Sequence, residues 1–166
     1  MRVPVILHGR MGDWSRQLRP RLHDLPVRWF ESRSSQDLKT LLGGLAFPLV
    51  LIDAGRERGL SLRDLGRILI DAPRARVLVL DPDAVPGFAL MARELGAAHV
   101  FSGFVPPPVV ASLLSRWILI SRSDIARAGW SRTTFPETQT DPWSWLSDYV
   151  GEPVVFSRSG SAPWLP

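Results

Sequence analysis

The chain has 166 residues, of which 45% are hydrophobic, with a formal charge of +4 and no cysteine. That length buries one ordinary core with an extension to spare, and the missing thiols exclude disulfides, iron–sulfur clusters and thiolate zinc sites. The basic residues are arginines apart from Lys39 and are dispersed along the chain, which argues against a nucleic-acid partner.

Val3 to Leu7 is a short apolar run ending at His8-Gly9, predicted as strand β1, with Pro4 near its start where a missing donor is tolerated. Asp13 can cap a helix carrying Trp14, Leu18, Leu22 and Leu25, which Pro20 should kink or end early. Pro26 to Phe30 is β2. Ser34 with Asp37 three residues on opens a second helix with Leu38, Leu41, Leu42 and Leu45 on one face, fraying at Gly43-Gly44.

Phe47 to Ile52 is apolar without alternation and stops on Asp53, as expected of a central strand, β3, covered on both faces. Beyond the loop Gly55-Arg-Glu-Arg-Gly59, Ser61 with Asp64 repeats the capping signature, and Leu62, Leu65, Leu69 and Ala72 supply a buried stripe. Arg76 to Leu80 is β4, stopping at Asp81-Pro-Asp83. Phe88 to Leu95 is a helix stopped by Gly96, and Ala98 to Phe101 is β5. Pro106 to Pro108 open a last helix with Val109, Val110, Leu113, Leu114, Trp117 and Ile118 on its apolar face.

Strands alternating with helices in this way predict an α/β fold, a doubly wound five-stranded parallel sheet over residues 1–122. Residues 123–166 form a Trp/Pro-rich C-terminal extension, too rich in aromatics for a disordered tail. Its Trp143 and Trp145 are expected to pack on the domain or on a partner, and Val154 to Phe156 could add an edge strand. The apolar stretches fall short of a membrane span or a secretory leader, so a cytoplasmic protein away from membranes is expected.

With Asp53 closing β3 and Leu95-Gly-Ala-Ala-His-Val-Phe101 entering β5, residues 1–121 resemble the receiver domain of bacterial response regulators. The resemblance implies the flavodoxin-like (CheY-like) strand order 2-1-3-4-5 and places Asp53 at the phosphoacceptor position. Receivers carry an acidic pair after β1 that holds Mg²⁺. Here those places are His8 and Gly9; Asp13 could substitute for the pair but lies beyond the turn. Where receivers have a hydroxyl after β4, this chain has Asp81; where they have a lysine after β5, it has Ser102-Gly103-Phe104 and no cation. Losing the charges that neutralise a transferring phosphoryl group implies a degenerate receiver that conventional aspartyl phosphorylation does not regulate.

Asp53, Asp81, Asp83 and His8 should meet at one edge of the sheet, where they could hold a metal, orient His8 as a base, or simply cap loops. The capping role is favoured, and His99 is assigned to packing. Gly9 and Gly12 flank a turn that could receive phosphate, with Glu31 about where a ribose-binding acid would stand. Arg56, Arg58, Arg63 and Arg67 read as a solvated face offset by Glu57 and Asp64.

The expected function is a non-enzymatic signalling module of the two-component kind, with no cofactor, that binds a protein partner or forms a homodimer; Phe104, Trp143 and Trp145 are the candidate contacts. The alternative is a small nucleotide- or metal-binding enzyme using the sheet's carboxyl edge, which a deep pocket there would favour.

Overall fold

The computed structural model describes residues 2–9, 13–55 and 58–133, with side chains to residue 128. Gly12, Arg56, Glu57, Trp143, Trp145 and the strand expected at residues 154–156 lie outside the described residues. Five parallel strands form one sheet: β1 Val3–His8, β2 Val27–Ser32, β3 Leu49–Asp53, β4 Arg76–Asp81 and β5 His99–Ser102. Their order is 2-1-3-4-5, as expected. Burial of β1 along its whole length, and of β3 and β4 but for an end residue of each, explains why those runs lack alternation.

The strand period of two divides the core into two layers. Ile6, Val50, Ile52, Val77 and Val79 pack under Leu38 and Leu42 of α2 (Ser35–Leu42), Leu65 and Ile68 of α3 (Arg58–Asp71), and Phe88 and Ala92 of α4 (Phe88–Glu94). Val5, Leu7, Leu49, Leu51, Leu78 and Leu80 face Leu18 of α1 (Asp13–Arg21) and Val110, Leu114 and Ile118 of α5 (Pro107–Thr133).

Local signals explain most boundaries. The Ser34 hydroxyl accepts from the Asp37 amide at 3.1 Å, the cap read for α2. Helix α1 ends one residue after Pro20. Gly96, with φ +96°, follows the end of α4 in a conformation that glycine adopts without strain.

Two expectations fail. Helix α3 begins at Arg58, so Ser61 and Asp64 do not cap it; they lie on its buried face with Leu65 and Ile68. The domain boundary expected after Arg122 falls inside α5, and the compact unit runs to Arg132. Ile125 is buried in the α1/α5 layer. Beside it, Asp124 accepts from Arg76 at 2.9 Å, fastening the far part of α5 to the start of β4.

Candidate site at the carboxyl edge of the sheet

His8, Asp53 and Asp81 do lie at one edge, but they do not come together. His8 is in register with Ile52, Asp53 with Leu80, and Asp81 with Ser102. By the alternation of each strand, His8 and Asp81 continue the face toward α2, α3 and α4, whereas Asp53 continues the Leu49–Leu51 face toward α1 and α5. The alternation therefore sets Asp53 apart from the other two.

The carboxylate that meets His8 is that of Asp64. His8 Nε2 stands 3.0 Å from Asp64 Oδ2, and Nδ1 stands 3.0 Å from Ser32 Oγ. All three side chains are buried. Ser32 Oγ is also 3.1 Å from the Ser34 carbonyl. Two proton placements satisfy this chain: a neutral ring donating to Asp64 and accepting from Ser32, or a ring donating from both nitrogens while Ser32 donates to the Ser34 carbonyl. In either case β1, β2 and α3 are tied by polar groups that need one another.

Asp81 is fully buried and works as a loop brace, the capping role favoured from sequence. Its Oδ2 accepts from the Val85 amide at 2.8 Å and its Oδ1 from Arg58 Nε at 3.3 Å, while the same guanidinium also pairs with Asp83. Arg58 is thus not part of a free basic face: it supplies a cation at this edge. Asp64, expected to offset that face, is committed to His8 instead.

Asp53 is half-buried at the floor of a cleft of about 950 Å³. Burial raises its pKa above the usual 3.8, the Gly55 amide opposes that rise, and the nearby Asp13 charge adds to it. Asp13, at the start of α1 beyond the turn, lines the same cleft as Asp53. Gly9 passes so near that a Cβ there would stand 2.9 Å from the Asp53 Cβ. That approach, rather than a phosphate turn, accounts for the glycine.

An acid whose pKa is raised on folding contributes stability that is complete below 3.8 and is lost as pH climbs through the folded value. Asp53→Asn is accordingly expected to raise the thermal midpoint at pH 7, with the gain vanishing below pH 3.8; an equal gain at both extremes would contradict the burial argument.

The other candidates separate. Glu31 accepts from Ser15 Oγ at 2.6 Å and from Arg19 at 2.7 Å, fastening α1 to β2, and is no open ribose acid. His99 packs edge-on against Phe101 at 4.5 Å, as assigned. Ser102 is exposed, Gly103 lines the cleft with φ +85°, and Phe104 is 89% exposed at its rim. Among the described residues no three His, Asp or Glu side chains group as metal ligands.

Sequence reasoning missed Asp64 and Ser32 as partners of His8, Arg58 as the partner of Asp81, and Trp14, Arg33 and Leu60 as cleft walls. The signal for Asp64 was present: Ser61, Asp64, Leu65, Ile68 and Ala72 repeat at helical spacing.

No family model and no curated protein matches the chain. Solved structures do. The signal receiver domain of an HD domain-containing protein from Pseudomonas fluorescens superposes with a TM-score of 0.64 at 19% identity, covering 76% of this chain and 93% of that one. A response regulator from Thermotoga maritima gives 0.63 at 17% identity over 71% and 98% of the two chains. A response regulator from Burkholderia pseudomallei, solved with a phosphorylated aspartic acid, a calcium ion and citrate, gives 0.58 at 16% identity over 78% and 74%. The chain thus has the fold of response-regulator receiver domains, with Asp53 closing the third strand of the order 2-1-3-4-5.

Proposed function

We propose that this chain is a non-catalytic signalling module of receiver fold that acts through protein contacts and not through conventional aspartyl phosphorylation. The observation that carries the reading is the surroundings of Asp53. The two positions after β1 hold a histidine engaged with Asp64 and Ser32 and a glycine whose missing Cβ Asp53 already crowds. Neither offers a side-chain carboxylate to a metal. Asp13 adds like charge next to Asp53, and Arg58, a cation on this edge, pairs with Asp81 and Asp83. Phosphoryl transfer depends on positioning and charge neutralisation, which this edge supplies poorly.

Phe104, almost wholly exposed beside the cleft, is the described residue best suited to a protein partner or a second copy of the chain. The cleft favours a second reading, in which the edge takes a small molecule. Adding Mg²⁺ and beryllofluoride tests the first reading: the amide resonances of Gly9, Asp53 and Gly55 are expected to stay in place.

A further inference from the structure

The cleft at the sheet's carboxyl edge, about 950 Å³, is at the upper end of the volumes that hold small organic ligands. Trp14 of α1 and Leu60 of α3 line it, with Val105 and Phe104 from the segment before α5. Such walls suit a body with apolar or aromatic surface.

The polar groups in the lining decide the ligand's charge. His8 and Asp64 are engaged with each other. Asp53, on the floor, has the Gly55 amide as its hydrogen-bond donor and no cationic side chain paired with it among the described residues. Asp13 also lines the cleft, and its ion pair with Arg16 is largely exposed, hence weak and exchangeable. Arg33 contributes positive charge from the exposed stretch before α2. A carboxylate taken partly out of water beside another carboxylate is complemented by a cation. A divalent metal caged by protein side chains is disfavoured, since no group of three candidate ligands exists among the described residues.

We infer that this cleft binds a small amphipathic amine, its ammonium group held by Asp53 and Asp13 and its apolar body laid against Trp14, Leu60 and Val105. The inference rests on the edge being free of phosphoryl chemistry, as proposed above. It gives the cleft a ligand class that would let a small molecule, in place of a phosphoryl group, occupy the switch position of the fold.

The test uses tryptamine as the probe, with indole-3-propionate as a similarly sized anion, added to the full chain and followed by amide chemical shifts. Tryptamine is expected to move Gly9, Asp53, Ala54 and Gly55 saturably, with a dissociation constant of about a millimolar, as suits a probe of that size. Asp53→Asn, which is expected to stay folded, should weaken it at least about tenfold, the loss expected when a charge-assisted contact goes.

Absence of saturable shifts, equal binding of indole-3-propionate at the same amides, or unchanged affinity in Asp53→Asn would overturn the inference. Displacement of tryptamine by Mg²⁺ alone would also overturn it, in favour of a metal. No tryptamine binding together with no response to beryllofluoride would sink the amine site and leave phosphorylation independence standing. Tryptamine binding alongside a beryllofluoride response would keep the amine contact at Asp53 but overturn its role in place of a phosphoryl group, together with the phosphorylation-independent reading.

Discussion

Asp64→Ala is expected to lower the unfolding free energy by about 3 kcal/mol, the cost of leaving a buried polar or charged partner unpaired. His8 is 9% exposed and its other nitrogen is held by Ser32, so the ring has little freedom to turn toward the cleft it borders. Asp64→Asn keeps both the volume and an oxygen acceptor for the ring N–H, so its cost should be nearer about 1 kcal/mol. Urea unfolding of the two variants, with the slope checked for constancy, measures the difference. A loss below about 0.5 kcal/mol for the alanine variant, the range of ordinary surface changes, would mean that the contact between β1 and α3 is not made in solution.

Ile125→Ala is expected to cost about 3 kcal/mol, in the range for deleting a large aliphatic side chain from a core. Ile125 is 5% exposed, although it lies beyond the point where the composition turns polar. A chain ending at Arg122 loses Ile125 together with Asp124, the partner of Arg76, and should be less stable than one ending at Thr133 by at least the same amount. Most of that loss is apolar, because the Arg76–Asp124 pair is partly solvated and worth about 1 kcal/mol or less. Equal melting curves for the two truncations would show that the far part of α5 does not seal the α1/α5 layer. The two truncations also separate residues 123–133 from everything after them, which a single cut at Arg122 would confuse.

The fold was legible because its signals are local. Strands buried on both faces leave unbroken apolar runs, as at Val50 to Ile52 and Val77 to Leu80, and the Ser34 cap and the Gly96 stop work within a few residues of themselves. The site was less legible because its geometry is a matter of phase. That His8, Asp53 and Asp81 share an edge follows from their places at strand ends. That Asp53 faces away from the other two follows from counting residues along each strand, and it outweighs nearness along the edge.

Helix α3 misled for a related reason. The Ser61–Asp64 spacing suits a capping box and equally suits a buried stripe, and the stripe wins: α3 begins at Arg58 and Asp64 meets His8 Nε2 at 3.0 Å. The length of α5 was hidden by the polar turn in composition after Ser123, although Val110, Leu114, Ile118, Ser121 and Ile125 keep the helical period through it. The contact of Arg58 with Asp81, 23 residues apart, left no sequence signal beyond the charges themselves.

The central claim is that the edge around Asp53 no longer handles a phosphoryl group, and the direct measurement is a titration of the full chain with Mg²⁺ and beryllofluoride, read at the amides of Gly9, Asp53, Ala54 and Gly55. No saturable movement is expected, because His8 and Gly9 provide no metal carboxylate and Arg58 is paired with Asp81 and Asp83. Saturable shifts that require both additives and vanish in Asp53→Asn would contradict it and restore the switch chemistry to this chain.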